Sequence, residues 1–220
     1  MYNIQFQSLF DQIITYSKYL FVTFLGGLFF MQLVLSLNWP LLNGGDAAFL
    51  HYIAYLINEH DFVPYRDIFE VNMPGTYLFH MAIGKLFGYS DFAFRLVDTT
   101  WLTLTLIVSW LLMRPFGRVV AFSACFLFGL VYFKGNVYHS LQRDFIVLLP
   151  IATALLLGTQ RKPYHSINLI HLLQGILFGL AGLIKPHFII GLPVIILYNY
   201  LHFNENISFI FYFIIGMLMS

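Results

Sequence analysis

Charged residues are scarce in this chain. Asp, Glu, Lys and Arg together make up 10% of its 220 residues, whereas they make up about 25% of a soluble domain. Hydrophobic residues account for 60%, so the composition is that of an integral membrane protein. The formal net charge of +1 argues against nucleic acid as a partner, because nucleic-acid binding needs a strongly basic surface.

Cysteine and the common catalytic signatures are also scarce. Cys125 is the single cysteine, which excludes an intrachain disulfide, and its place inside an apolar run predicts a small buried side chain. The sequence contains no GxSxG, P-loop, Rossmann or HExxH pattern. Its eight histidines include no i, i+4 pair, so the sequence gives no support for a histidine-bound metal.

Seven apolar runs reach or approach the length of a membrane span. The first, Tyr19–Leu37, is too long for the core of a signal peptide and has a poor cleavage site after it. The later runs are Phe92–Met113, Val119–Phe133, Phe145–Gly158, Asn168–Ile184, His187–Leu201 and Ile207–Met219. The sequence thus predicts an all-α fold, a polytopic transmembrane helix bundle of about seven spans that forms a single membrane domain over residues 1–220.

Two short helices are predicted in the first outer loop, residues 39–90. Asp46, which follows two glycines, is suited to cap a helix that reaches about Asn58. Pro74 is suited to the first position of a second helix, which would end at Gly88.

Both of these helices are predicted to be interfacial. At 1.5 Å per residue the first is about 18 Å long, too short for a hydrocarbon core of about 30 Å. Its polar residues His51, Tyr55 and Asn58 recur at i, i+4 and i+7. This spacing suits a helix that lies flat in the interface.

The helices must alternate in direction, which sorts the loops onto two faces of the membrane. One face carries five Lys and Arg residues and the other carries six, so the counts alone do not decide the orientation. Two of the six, Arg66 and Lys85, lie in the long outer loop, and basic residues in long loops have little influence on orientation. We therefore predict that the face with short basic segments is cytoplasmic, in a cytoplasmic (inner) membrane. The basic residues of that face are Lys18, Arg114, Arg118, Arg161 and Lys162.

Acidic residues collect on the opposite, extracytoplasmic face. Eight of the ten lie there or just inside its helix ends: Asp46, Glu59, Asp61, Asp67, Glu70, Asp91, Asp98 and Asp144. A carboxylate is costly to leave near a bilayer and easy to use as a base. We therefore expect any chemistry on the extracytoplasmic face.

Four motifs occur in an order that carries a family resemblance. They are DIFEVNMPGTYLFH at 67–80, SDFAFRL at 90–96, SLQRDF at 140–145 and GLAGLIKP at 179–186. Together with a first helix, an Asp just beyond it and two interfacial helices, this order resembles the GT-C membrane glycosyltransferases. The bacterial branch that includes protein mannosyltransferase-like and lipid A aminoarabinose transferases is the most similar. The resemblance implies an enzyme that moves a sugar from a polyprenyl-phosphate donor to an extracytoplasmic acceptor, which is a cell-envelope glycan, lipid or protein.

The resemblance makes Asp46 the candidate catalytic residue. In the family, an outer-face Asp after the first helix acts as general base toward the acceptor hydroxyl, and Asp46 matches that position. The reaction needs a carboxylate within hydrogen-bond reach of the hydroxyl while the anomeric carbon loses its phosphate. The alternative from the residues alone is that Asp46 only caps its helix.

Basic residues on the same face are candidates for binding the donor phosphate. Lys185 ends one apolar helix, and Pro186 would begin the next, whose N-terminal dipole also favours an anion. A lysine that only snorkels at a helix end is the alternative. Arg143 and Asp144, at the outer end of the fourth span, would supply a phosphate-binding arginine or a second acidic group.

Two further substrate-binding candidates, Glu70 and Arg95, lie where the chain departs from the family pattern. Glu70 precedes a Met-Pro-Gly turn, and relatives often carry a lysine or glutamine before a Pro-Pro pair where Asn72 stands here. Arg95 lies inside the second span, where a charge is a functional candidate. It can also pair with Asp98 at i, i+3, and the residues favour that structural role.

Other interpretations are open. No cofactor is predicted, although a divalent ion held by Asp46 and other outer carboxylates would assist a phosphate leaving group. A transporter or flippase-like component is the rival function, but it would need polar residues along a path through the membrane. The last run, Ile207–Met219, is short for a core of about 30 Å. We therefore also expect an N-terminal portion of a longer protein, which by itself would be an inactive fragment.

Overall fold

The computed structural model describes residues 2–41, 45–135, 138–159, 167–203 and 209–220. Helices form the regular structure of these residues, with one isolated bridge between Pro64 and Ile68, so the predicted all-α class is confirmed. The α-helices are α1 (Tyr2–Ser36), α2 (Gly45–His60), α3 (Pro74–Phe87), α4 (Asp91–Met113), α5 (Arg118–Lys134), α6 (Arg143–Ile146), α7 (Leu148–Thr159), α8 (Ile167–Ile184), α9 (Leu192–Phe203) and α10 (Phe209–Leu218). Arg161, Lys162 and the start of the run at Ile207 lie outside the described residues.

Two helical segments of the described chain are long and apolar enough to cross a membrane. They are Gln12–Ser36, with 25 residues, and Asp91–Phe116, with 26 residues. Asn168–Ile184 and Pro186–Leu201 are shorter apolar helices. The remaining predicted runs are helical where they are described, but the bundle of about seven spans is not confirmed, because several of these helices are short or interrupted.

Proline interrupts the run predicted as one span over Phe145–Gly158. The chain forms α6 up to Ile146, breaks at Val147 and continues as α7. Pro150 explains the break, because a proline lacks an N–H and its ring clashes with the carbonyl four residues earlier, that of Ile146. This carbonyl instead accepts a hydrogen bond from Trp101 Nε1 at 3.1 Å, which ties α4 to the break.

The run predicted over His187–Leu201 is also split. Its first part belongs to the 3-10 helix Pro186–Gly191, and its second part is α9, which starts at Leu192. Pro193 explains the change, since its ring would clash with the Ile189 carbonyl in a continuous α-helix. The α-helical geometry therefore begins only one residue before this proline.

The two predicted helices of the first outer loop are present. They are α2 and α3, with Pro74 at the first position of α3 and Gly88 as its C-cap residue at φ 84°. Asp46 is the second residue of α2 and not its N-cap. Its carboxylate therefore lies in the first turn, where the helix dipole favours a negative charge. The interfacial position of the two helices stays a prediction.

The polar side of α2 faces the protein. His51 is buried, and Asn58 Nδ2 donates to the Met81 carbonyl at 3.1 Å and to the Tyr89 hydroxyl at 2.5 Å. The i, i+4, i+7 polar spacing therefore marks the face of α2 that packs against α3 and the loop after it, where Asn58 finds its hydrogen-bond partners.

A histidine pair fills the contact between α2 and α3. The ring centroids of His51 and His80 lie 5.9 Å apart, with Phe94 packed against both rings and Tyr89 against His51. Among the described residues, their four ring nitrogens are buried without a hydrogen-bond partner. Burial lowers the pKa of His51 to about 4. Burial, and then the charge of His51, lowers the pKa of His80 to about 3.

Helices α8 and α10 pack with their backbones in direct contact. A Cβ atom added to Gly175 would lie 2.1 Å from the Phe213 carbonyl oxygen, and one added to Gly216 would lie 2.1 Å from the Leu172 carbonyl oxygen. Gly179, one turn further along α8, faces the same helix. Small residues four positions apart are the usual means by which membrane helices approach closely.

Replacing Gly216 by Ala should push α8 and α10 apart and lower the melting temperature, because the new methyl group would overlap a carbonyl oxygen. Overpacking of this kind costs about 1–3 kcal/mol. Gly27→Ala is the matched control, since nothing lies within 4 Å of the added methyl group. Melting curves of both variants in the same detergent test this prediction, and equal melting temperatures would contradict the close contact.

We expect the contact between α2 and α3 to weaken as the pH falls from 6.5 to 4. The histidine pKa is 6.5 when unperturbed and is lowered to about 4 for His51 in the folded protein. The unfolded form therefore binds protons first, and stability present above pH 6.5 is lost on acidification. The free energy of unfolding falls by at most about 1.4 kcal/mol for each histidine and each pH unit.

Hydrogen exchange of α2 and α3 in detergent, corrected for its intrinsic pH dependence, measures this loss. The double variant His51→Leu, His80→Leu has no titrating ring in the contact and should lose the acid sensitivity. Exchange in the unchanged protein that is equally slow at pH 7 and pH 5 would show the prediction to be wrong.

Candidate active site

Two consecutive residues at the start of α6 connect distant parts of the chain. Arg143 Nη2 lies 3.3 Å from Asp46 Oδ2, and Arg143 Nη1 donates a hydrogen bond to Asn72 Oδ1. Asp144 Oδ1 accepts a hydrogen bond from Lys185 Nζ. Side chains from α2 and from the loop before α3 therefore contact Arg143, and the residue that follows α8 contacts the neighbouring Asp144. We call these five residues the site cluster.

Within the site cluster the carboxylates are more exposed than the cations. The side chains of Asp46 and Asp144 are 64% and 65% exposed, whereas those of Arg143 and Lys185 are 28% and 22% exposed. Ion pairs with such exposure contribute about 0–1 kcal/mol each. A ligand that offers Arg143 or Lys185 a better partner can therefore displace a carboxylate at small cost.

Asn72 links the site cluster to Glu70. Its Nδ2 donates to Glu70 Oε1 at 2.7 Å while its Oδ1 accepts from Arg143. The Tyr65 hydroxyl donates to the Asn72 carbonyl at 2.5 Å, and the Tyr77 hydroxyl donates to the Glu70 carbonyl at 3.3 Å. Glu70 thus reaches the site cluster through the amide of buried Asn72, and a tyrosine binds the backbone carbonyl of each of these two residues.

Sequence reasoning misses Asn72 as a site residue. It stands where relatives carry a lysine or glutamine. Comparison with the family pattern therefore shows that this residue is missing, but gives no role to the asparagine that replaces it. One signal was available, namely a polar side chain between Val71 and Met73 beside the proline that begins α3. Its contact with Arg143, 71 residues away, does not follow from any local spacing.

Close packing of α3 on α8 holds the loop of Asn72 near Lys185. A Cβ atom on Gly75 would lie 2.7 Å from the carbonyl carbon and oxygen of Leu183, so the two backbones touch just before Lys185. Helix α8 ends at Ile184, and Lys185 follows with an extended backbone. The lysine therefore lies at the junction of α3, α6 and α8.

The helix dipole predicted to assist Lys185 is weaker than expected. The helix that Pro186 begins is a 3-10 helix of six residues, and α9 starts only at Leu192. The macrodipole of a helix is a sum over aligned peptide units, so a helix this short contributes little. The positive charge at this point is that of Lys185 itself.

Arg95 lies in the interior and not on the surface of the site cluster. It is 0% exposed, and its Nε donates to the Trp39 carbonyl at 3.0 Å. Its Nη1 donates to Asp98 Oδ2 at 3.4 Å and to the Ser140 hydroxyl. The i, i+3 pairing with Asp98 is present, and the geometry favours a structural role for Arg95 over contact with a substrate.

One cavity borders the site cluster, and a second lies near it. The first, of about 570 Å³, has a mixed wall. Asp144, Tyr132, Tyr138, His139 and Gln142 form part of it, and Phe128, Phe145, Leu148 and Phe188 form the rest. The other, of about 550 Å³, lies between α3, α4, α7 and α8 and is lined almost entirely by apolar side chains. Its wall includes Gly75 and Ile184, the second of which directly precedes Lys185.

Within the described ranges, no group of three or more His, Cys, Asp or Glu side chains is placed to hold a metal ion. Asp46 and Asp144 each face a basic side chain instead. The alternative of a divalent ion held by outer carboxylates therefore finds no ligand set in this part of the chain.

Residues 72–219 match the family model of the dolichyl-phosphate-mannose-protein mannosyltransferases. Because the match covers more than half of the chain, the protein belongs to this family, and the predicted resemblance is confirmed. The family defines a membrane glycosyltransferase of the GT-C type. No curated protein and no solved structure matches the chain. The matched residues include Asn72, Arg143, Asp144 and Lys185, whereas Asp46 precedes them.

Proposed function

We propose that this protein transfers a sugar from a polyprenyl-phosphate donor to an acceptor hydroxyl on the extracytoplasmic side of a cytoplasmic membrane. The acceptor belongs to a cell-envelope glycan, lipid or protein. The single observation that carries this proposal is the pair of contacts made by Arg143 and Asp144, one to Asp46 and the other to Lys185. These contacts support a site in which Asp46 would be the base for the acceptor, and Arg143 and Lys185 would be the cations for the donor phosphate.

In the proposed reaction, Asp46 is the general base. The acceptor hydroxyl gives its proton to a carboxylate oxygen of Asp46 as the hydroxyl oxygen bonds to the anomeric carbon. The bond between that carbon and the phosphate oxygen breaks in the same displacement, and its electron pair leaves with the phosphate. Lys185 and Arg143 stabilise the negative charge that develops on the leaving group. The sugar therefore has to lie between Asp46 and Lys185.

The contact between Arg143 and Asp46 suggests how the donor prepares the base. A phosphate offers an arginine two parallel charge-assisted hydrogen bonds, whereas Asp46 is a single, exposed partner at 3.3 Å. We expect Arg143 to turn toward a bound phosphate and to leave the Asp46 carboxylate free for the proton. Asp144 would release Lys185 to the phosphate in the same way.

The apolar cavity of about 550 Å³ supports a donor with a lipid chain. Its wall reaches Ile184, next to Lys185 in the chain. A polyprenyl chain buried there would gain about 25 cal/mol for each square ångström of apolar surface removed from water. The phosphate of the same molecule would then lie beside the lysine.

Asp46→Asn should lower sugar transfer about a hundredfold or more, because general-base catalysis contributes about 10²–10⁴. The amide keeps the size of the side chain, so expression and membrane insertion should not change. The measurement is transfer of labelled sugar from a polyprenyl-phosphate donor by membranes that carry the variant. Glu59→Gln, the same change at the other end of α2, is the control and should retain activity. Transfer by Asp46→Asn within a few-fold of the unchanged protein would exclude Asp46 as the base.

Lys185→Gln should raise the KM for the donor about ten- to a hundredfold, since a hydrogen bond to a charged group contributes about 1.5–3 kcal/mol. The matched control is Lys85→Gln, which removes an exposed lysine from α3 and should leave this KM unchanged. The measurement is the rate of sugar transfer at increasing donor concentration, which gives the KM of both variants. An equal KM for the two variants would mean that Lys185 does not bind the phosphate.

A further inference from the structure

One buried guanidinium contacts both segments that lead to the proposed reacting groups. Arg95 Nε donates to the carbonyl of Trp39, on the segment between α1 and Asp46. Arg95 Nη1 donates to the hydroxyl of Ser140, three residues before Arg143. Arg95 thus joins the segment that follows α1 to the turn that precedes Arg143.

Asp98 extends this contact to the turn before α6. Its Oδ2 lies 3.4 Å from Arg95 Nη1, and its Oδ1 accepts hydrogen bonds from the Leu141 N–H, at 3.2 Å, and from the Tyr132 hydroxyl. The oxygen of Tyr132 lies 3.1 Å from the Leu141 nitrogen as well. Two acceptors therefore converge on one backbone N–H group.

Leu141 has an unusual backbone conformation that this convergence explains. Its φ is 44°, in the left-handed region, which costs an L-residue roughly 1–2 kcal/mol. Such strain persists only where the surroundings enforce it. The Gln142 carbonyl, next in the chain, accepts the N–H groups of Phe145 and Ile146 at 2.8 and 2.9 Å. The turn at Leu141 therefore sets the direction in which α6 starts and the place of Arg143.

We propose that Arg95, Asp98 and Tyr132 form a positioning network that holds Arg143 at its distance from Asp46. This inference deepens the proposed function and rests on it. The side chains of Arg95 and Asp98 are 0% and 2% exposed, so they act through the segments that they hold and are positioning residues, not catalytic ones. Tyr132 lines the cavity of about 570 Å³ and joins the network through its hydroxyl.

Tyr132→Phe is the appropriate variant, because removing Asp98 would leave a buried guanidinium without its carboxylate and endanger folding. Tyr89→Phe is the matched control, since it also removes one hydrogen-bonded tyrosine hydroxyl, which is partly buried and contacts Asn58 and the Ala54 carbonyl outside the network. Hydrogen exchange of the full chain in detergent is compared first. Tyr132→Phe should speed exchange of the 141–146 amides about fivefold or more, as expected for a locally loosened segment, and Tyr89→Phe should not.

Kinetics then separate positioning from general stability. Tyr132→Phe should lower kcat about ten- to a hundredfold, the effect of a misplaced group, while the KM for the donor, which Lys185 also binds, changes about twofold or less. In the Arg143→Gln background the same substitution should have no further effect on kcat, because its effect passes through Arg143. Tyr89→Phe should have the same small effect in both backgrounds.

The outcomes are distinguishable. Unchanged exchange at 141–146 in Tyr132→Phe would overturn the network, and additive losses of kcat with Arg143→Gln would overturn its action through Arg143. If the unchanged protein transfers no sugar from any polyprenyl-phosphate donor, the proposed function fails. The exchange comparison still decides whether the network holds the turn.

Discussion

The rest of the structure depends on the burial of one positive charge. An arginine taken out of water without partners costs several kcal/mol, so Arg95 can lie at 0% exposure only where oxygen atoms accept its N–H groups. The oxygens that bind its Nε and Nη1 come from the segment after α1, from α4 and from the turn before α6, while its Nη2 has no partner among the described residues. These three segments must converge for the bound part of the guanidinium to be satisfied. The exposed ion pairs of the site cluster contribute little by themselves, and in the proposed network the position of Arg143 depends on this interior contact.

The site cluster borders a cavity with a mixed wall and lies near a second cavity that is almost wholly apolar. Asp144 lines the first, beside tyrosine, histidine and glutamine as well as phenylalanine, and Ile184, next to Lys185 in the chain, lines the second. A lipid-linked sugar phosphate needs both kinds of surroundings, since a phosphate joins its polar head to an apolar chain. The close backbone contact at Gly75 keeps the loop that carries Asn72 at the boundary, where the phosphate of such a molecule would lie.

Local chemistry was sufficient to predict some elements and not others. Pro74 and Gly88 determine the ends of α3 from adjacent residues, and composition together with the lengths of the apolar runs indicates an all-α membrane protein. The break at Val147 was not predicted. Pro150 causes it by its clash with a carbonyl four residues earlier, and a count of apolar residues does not include this effect. Helix alternation predicts that Asp46 and the residues of α6 share a face, and they are in contact. The part played by Asn72 depends on the path of a loop, which no periodicity describes.

The site cluster holds two carboxylates and two cations, so its formal charges cancel. A surface with balanced charges attracts anions little at long range, and inorganic phosphate dissolved outside the membrane would not accumulate there. Each cation must first exchange a carboxylate for the incoming anion, and a ligand gains from this exchange only if it brings a further source of binding energy. A chain that enters the apolar cavity is such a source. In a transferase of the proposed kind, charge balance would thus act as a filter that rejects free anions and admits those anchored in lipid.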